Sequence, residues 1–164
     1  MNTVPSPAPL GHVASLHLHP AEPGASLLAV AAAELTEGKG ISGAARYFGR
    51  LSSQTGQPTR RQVSLIEREQ IAEHATALGL PAIPPGAVRS NIETVGINLI
   101  ALLGCEVEIG GAVLRLYAPR DPCAKMDAIC DGLRALMLNN RQGVLAEVVR
   151  SGTIHVGDAI LPRP

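Results

Sequence analysis

Reactive side chains are concentrated in the run Arg120-Asp-Pro-Cys123-Ala-Lys125. Asp121 is a good helix N-cap and Pro122 a tolerated first-turn residue, so the spacing predicts a helix with Cys123 in its first turn. Unpaired backbone N–H groups, the positive end of the helix dipole and the flanking Arg120 and Lys125 would all favour a thiolate. A thiolate is a nucleophile or a soft metal ligand. The competing reading is a small buried hydrophobe, with Cys123 facing the stripe of Met126, Cys130, Leu133 and Met137. Cys130, in mid-helix, and Cys105, entering a hairpin strand, read as packing residues. The three cysteines form neither CxxC nor a zinc spacing, which fits a reduced, cytoplasmic protein.

The arginines are the second candidate set. Arg60 and Arg61 precede a β-prone run, Arg89 opens a strand candidate and Arg120 follows one. Arginines at strand ends can converge on a barrel rim and hold phosphate through paired N–H bonds; the alternative is plain solvation. On a strand, Asn91 would share the face of Arg89, its amide meeting a heterocycle or closing a turn. His17 and His19 share a strand face as well. They read as two rim histidines in preference to half of a metal site. Gly38, Gly40, Gly43 and Gly49 punctuate a loop that carries Lys39, Arg46 and Tyr47. Its Gly-x-Gly-x-x-Gly letters lack the strand–loop–helix setting of a dinucleotide fingerprint. Ser64 has no GxSxG setting and is no nucleophile elbow.

The elements that must position these residues are mostly strands. Period-2 alternation over His12–His19 predicts a strand, and Ser26–Leu35 a second, with a short helix as the alternative. Gln62–Ile66 is a short β-prone run before a helix over Glu67–Leu78 that buries Ile71, Ala75 and Leu78 and ends at Gly79. Pro81, Pro84 and Pro85 make a rigid connector. Val88–Val95 is a strand candidate and Ile97–Leu103 a buried apolar stretch. Cys105–Ile109 and Ala112–Ala118 flank a Gly110-Gly111 turn, the clearest hairpin in the chain. After the second helix, closed by Gly143, come strands at Val144–Val149 and Ile154–Ile160, the latter broken at Gly157-Asp158. The pattern is mainly β (α+β), a β-barrel-like domain with a few peripheral helices.

Composition narrows the function classes. The chain has 164 residues, 46% hydrophobic and 17% charged, enough for a substantial core in one domain. We expect a flexible tail over residues 1–11 and a single domain over 12–164. Fourteen basic side chains balance fourteen acidic ones, which argues against nonspecific nucleic-acid binding. With Tyr47, Phe48 and Tyr117 as the only aromatic residues, base stacking has no platform. Met1–Leu10 lacks the form of a signal peptide, and the apolar run Leu27–Ala33 is too short to span a bilayer. No membrane association is expected.

In order along the chain, Gly40-Ile-Ser-Gly43, Arg61-Gln-Val-Ser-Leu-Ile66, Arg89-Ser-Asn-Ile92, Gly96-Ile-Asn-Leu99 and above all Arg120-Asp-Pro-Cys123 resemble a MOSC domain. This is the C-terminal domain of molybdenum cofactor sulfurase, which also occurs as a stand-alone protein. The resemblance runs from about His12 to Ile160, and the chain is especially similar to the small bacterial members. It implies a β-rich barrel with a few helices and a molybdopterin-type molybdenum cofactor. In members that reduce N-hydroxylated compounds, a cysteine matching Cys123 ligates molybdenum. In a sulfur-carrier reading of the family the same cysteine would hold a persulfide. The resemblance further implies pterin or phosphate contacts from Arg61, Arg89, Asn91 and Arg120, and more loosely from Lys39 and Arg46. The functions it implies are an oxidoreductase served by an electron-donor protein, a sulfurtransferase served by a cysteine desulfurase, or a noncatalytic cofactor carrier. Pyridoxal phosphate, which larger relatives use through an aminotransferase-like domain, is not expected here. One departure stands out: the family's usual aspartate after the GIxG stretch is Ala44.

Overall fold

Alternation along the first strand sets the architecture. In β1 (Gly11–Leu18), Val13 and Leu16 are buried among the barrel's apolar side chains, with Leu18 against them, while His17 takes the opposite face. The structure, a computed structural model, describes residues 3–163. The chain continues through β2 (Leu28–Val30), β3 (Ala32–Thr36), β4 (Gly40–Ile41), β5 (Val63–Glu67), α1 (Arg68–Ala77), β6 (Ile92–Val95), β7 (Glu106–Ile109) and β8 (Ala112–Pro119). It ends with α2 (Lys125–Ile129), α3 (Leu133–Leu136), β9 (Val144–Arg150), β10 (Gly152–His155) and β11 (Ala159–Arg163).

Seven strands close into a barrel in the order β1-β11-β7-β8-β9-β5-β6 and back to β1. Closure depends on β1 dividing one edge between two partners. Gly11 and His12 face Ile160 and Ala159 of β11, while Leu16 to Leu18 face Val30 to Leu28 of β2. Closure removes the exposed edges that an open sheet would leave. β5 and β6 pair in parallel, with α1 in the connection between them. A small sheet, β10-β3-β4, lies beside the barrel.

Leu65, Ile92, Leu114, Leu116 and Val144 fill the barrel, each at most 1% exposed. Burying a leucine or isoleucine so completely stabilises by roughly 1.5–3 kcal/mol. The alternate residue of β5, Ile66, faces outward into a second cluster with Ile71 and Ala75 of α1, Val88, Met126, Leu133 and Met137. This outer layer covers one side of the barrel and holds the connectors that matter below.

Several expectations need correction. The second helix does not begin at Asp121-Pro122, and Cys123 is not in a first turn: helix starts only at Lys125, with Ala124 at its N-cap. The single helix expected from the Met126–Met137 stripe is two short ones. Cys130 is extended and Gly132 left-handed (φ 88°), so an Asp-Gly turn overrides the helical period while Met126, Leu133 and Met137 still reach the same cluster. Ser26–Leu35 divides at Ala31, because β2 pairs with β1 and β3 with β10 in a different sheet. Val88–Asn91 is not strand, and Arg89 has φ 64°, so Arg89 and Asn91 share no strand face. In Ile97–Leu103 only Ile97 and Leu99 are fully buried, and Ile100–Leu102 form a 3₁₀ turn. Cys105 is exposed, not packed.

Candidate functional site

Five strand ends meet at one rim of the barrel. Antiparallel pairing puts the end of β1 beside the start of β6, and parallel pairing puts the starts of β5 and β6 side by side. The end of β8 pairs with the start of β9, next to β5. The rim therefore gathers His19, Arg61 to Ser64, Asn91 and Arg120, with Tyr47 arriving from the glycine loop; together they line a narrow cleft. The cleft holds about 10 Å³, room for roughly one water. It shares Tyr47 and Arg61 with a neighbouring cavity of about 270 Å³ lined also by Arg50, Ser52 and Thr59.

Arg120 is the central cation. Its backbone N–H donates to the Gly143 carbonyl at 2.9 Å. Its guanidinium donates to Ser90 Oγ at 2.9 Å and the Val88 carbonyl at 3.4 Å. Arg120 is only 9% exposed, and no carboxylate pairs with it among the described residues. Burial first, then the Arg61 guanidinium, pull its pKa down to about 10, so it stays charged at neutral pH. A buried cation with only neutral partners is costly.

His19 lies in the same field. Burial, then Arg89, Arg120, Arg61 and Arg46, lower its pKa to about 4. The ring is neutral at neutral pH, and Nδ1 accepts from the Asn91 amide at 3.2 Å. That assigns the remaining proton to Nε2. The ring also meets Tyr47 edge-on, with centroids 4.7 Å apart. Tyr47 in turn stands within 6.0 Å of Arg46 and 5.7 Å of Arg61.

Asn91 binds protein, not an open cleft. Its Oδ1 accepts from Ser64 N–H at 3.0 Å and Ser64 Oγ at 3.1 Å, while Nδ2 donates to the His17 carbonyl and to His19. All four of its hydrogen-bonding positions are taken, so Asn91 ties together β1, β5 and the entry to β6. Gln62 does similar work: Oε1 accepts from Val148 N–H at 2.8 Å and Nε2 donates to the Thr59 carbonyl.

The structure brings Arg61, Asn91 and Arg120 together at the cleft, with Arg89 close enough to act on both His19 and Arg120. Arg89 Nη1 donates to the Ala25 carbonyl at 2.9 Å. Arg46 stands behind Tyr47. Lys39 stands apart, with its ammonium 5.9 Å from the Phe48 ring. Cys123 is exposed, and a thiolate there would act on the Arg120 guanidinium. Ala44 is buried in the barrel cluster, and its carbonyl accepts from Tyr47 and Phe48 N–H, seating the loop that delivers Tyr47.

His19 lies at the rim but is buried there, and His17 is buried as well. His17 Nε2 bonds Ser15 Oγ at 2.8 Å and lies 3.7 Å from Glu93. Among the described residues no group of three or more His, Cys, Asp or Glu is placed to hold a metal. Sequence reasoning missed the roles of Ser90, Gln62 and Tyr47 and underrated His19. The signal for Gln62 and Ser64 was present: polar residues in an apolar strand must find buried partners.

The rim of the barrel thus gathers guanidinium groups that have no carboxylate partner among the described residues around a buried cleft. The chain belongs to the MOSC domain family, whose sequence model matches residues 23–161. That family is associated with molybdenum cofactor binding. In three dimensions the chain is similar to YuaD from Bacillus subtilis, with TM-score 0.75 and 21% identity over 92% of this chain and 93% of that one. It is also similar to YiiM from Geobacillus stearothermophilus (TM-score 0.69, 16% identity, 94% and 75% coverage). The Escherichia coli YiiM gives TM-score 0.67 and 19% identity, with 95% and 71% coverage. No curated protein matches the sequence. At these identities the likeness speaks for the fold. No helix is long and apolar enough to cross a membrane among the described residues.

Proposed function

We propose that this chain binds a molybdopterin-type molybdenum cofactor and acts in cytoplasmic oxidoreduction of N-hydroxylated compounds. One observation carries the reading: Arg120 is a buried charge without a carboxylate, and Arg61 and Arg89 beside it are equally unpaired. A phosphorylated pterin is an anion of the kind this cluster lacks. Arg61 and Arg120 would hold its phosphate at the mouth of the cleft, outside a space that itself admits only about one water, and Cys123 would be the protein's ligand to molybdenum. The donor set fits: the described residues hold no metal-binding cluster of their own, which suits a metal that arrives with most of its ligands. When bound, the cofactor supplies a redox-active metal. The protein's own contribution is charge neutralisation by the arginines, a neutral His19 offering Nε2–H, and a rim held rigid by Asn91, Ser64 and Gln62. Electrons would come from a donor protein.

The test is molybdenum and pterin analysis of protein purified gently from cells replete in both. We expect molybdenum and pterin in the wild-type protein, and retained pterin without reductase activity in Cys123→Ala. Absence of both from both proteins contradicts the proposal. The exposure of Cys123 favours one other reading, a sulfur carrier loaded by a cysteine desulfurase. That reading requires the mass of one added sulfur on Cys123 after incubation with desulfurase and cysteine.

A further inference from the structure

A second cavity, of about 540 Å³, lies on the Arg89 side of the site. It is within the range of small-molecule pockets, whereas the cleft at Arg120 admits little beyond a water. One wall is the loop carrying Pro85, Ala87 and Arg89, joined by Leu27; the other is α2, with Lys125 and Ile129. We propose that this cavity is the substrate subsite and that it takes an organic carboxylate with a flat or aliphatic apolar body. The proposal rests on the functional reading above in making the cavity's guest the substrate. The binding chemistry stands on the cavity itself.

Three observations carry it. The lining is mostly apolar, and Ile129 is left 38% exposed at the cavity, an arrangement that favours an apolar guest. The charged lining residues are Arg89 and Lys125; no aspartate or glutamate lines the space, and neither cation has a carboxylate partner among the described residues. Charge complementarity therefore selects an anion over a cation or an amine.

The third is that the wall is preformed. Glu93, 1% exposed, accepts from the Gly86 N–H at 2.6 Å and from Arg68 Nε and Nη2 at 3.3 and 3.2 Å. Gly86 is left-handed (φ 82°), and a Cβ there would come within 2.8 Å of the His17 ring. The loop is thus clamped from behind by a buried carboxylate and an imidazole, with Pro84 and Pro85 stiffening it in front. A rigid wall lowers the ordering cost of binding. Lys125 follows Cys123 by two residues, so the carboxylate end of a guest and the thiol belong to the same segment.

The test compares 2-naphthoate with neutral 2-naphthamide by isothermal titration and protein NMR, on protein with and without cofactor. We expect the carboxylate to bind about tenfold tighter than the amide. Lys125→Glu should abolish that preference, and Ala128→Trp, which fills the cavity from an exposed position, should abolish binding of both while leaving molybdenum content unchanged. Equal affinity for both probes, no binding at millimolar concentration, or undiminished naphthoate binding in Ala128→Trp overturns the proposal. Lys125 is on the surface, so Lys125→Glu remains decisive if Ala128→Trp fails to fold. If instead the cofactor reading is wrong, molybdenum is absent from wild type while naphthoate still binds.

Discussion

Arginines on the outer barrel strands and arginines at the rim keep opposite electrostatic company. On the strands, Arg115 reaches Glu106 at 2.6 Å and Glu147 at 3.4 Å and Arg150 meets Glu108 at 3.3 Å, while Arg60, in the loop before β5, shares Glu147 at 3.1 Å. Arg141 is paired with Glu73. At the rim, Arg61, Arg89 and Arg120 have no carboxylate partner among the described residues, and burial first, then neighbouring guanidinium groups, lowers the pKa values of Arg120 and His19. A chain of zero formal charge thereby presents a cationic site, because its acids are drawn to the other arginines. Exposed pairs of that kind contribute little to stability, whereas an unpaired buried charge opposes folding. The same residue type thus supports the surface in one region and awaits a partner in the other.

Altering each kind of arginine partner separates the two regions. The pair of buried Glu93 with the partly exposed Arg68 should show the largest stability effect. Glu93→Ala leaves the Gly86 N–H without its acceptor and should cost about 3 kcal/mol in a denaturant titration. At the rim, Arg120→Met should weaken cofactor binding about 100-fold, read as lost molybdenum and pterin. Acid should act next. His19 titrates near 4 in the fold against 6.5 ordinarily, so the unfolded chain takes up its proton first as pH falls. Stability should decline from about pH 6.5 to about 4 and then level for this group. His17, shifted down chiefly by burial, works in the same direction. His19→Gln should flatten that decline in pH-dependent unfolding curves. Smallest of all, Arg141→Ala and Arg150→Ala should change stability by about 0.5 kcal/mol or less and leave cofactor content alone.

What was legible in the sequence was local. The Gly110-Gly111 hairpin, the α1 stripe of Ile71 and Ala75, and the alternation through Leu16 and His17 depend on neighbours within a few residues. The family motif order pointed to the barrel and to Arg61 and Arg120 at one site. Barrel closure through Gly11 and Ile160 joins the two ends of the chain, and no local pattern encodes it. The left-handed turn at Arg89 was invisible because the clamp behind it, Glu93 on Gly86, is built from tertiary contacts. The buried state of His19 depends on Asn91, 72 residues away. Asp131-Gly132 was a readable turn signal, overridden by attention to the apolar period on either side.

The central claim is that Arg120 is kept for a ligand at the expense of the fold. Its most direct test is the unfolding free energy of ligand-free Arg120→Met against wild type in a denaturant titration. Replacing a partnerless buried charge by an apolar side chain of similar length should leave stability equal or raise it by about 1–2 kcal/mol. A loss of more than about 2 kcal/mol would show that the guanidinium's bonds to Ser90 and Val88 hold the rim together, and that Arg120 is a structural residue.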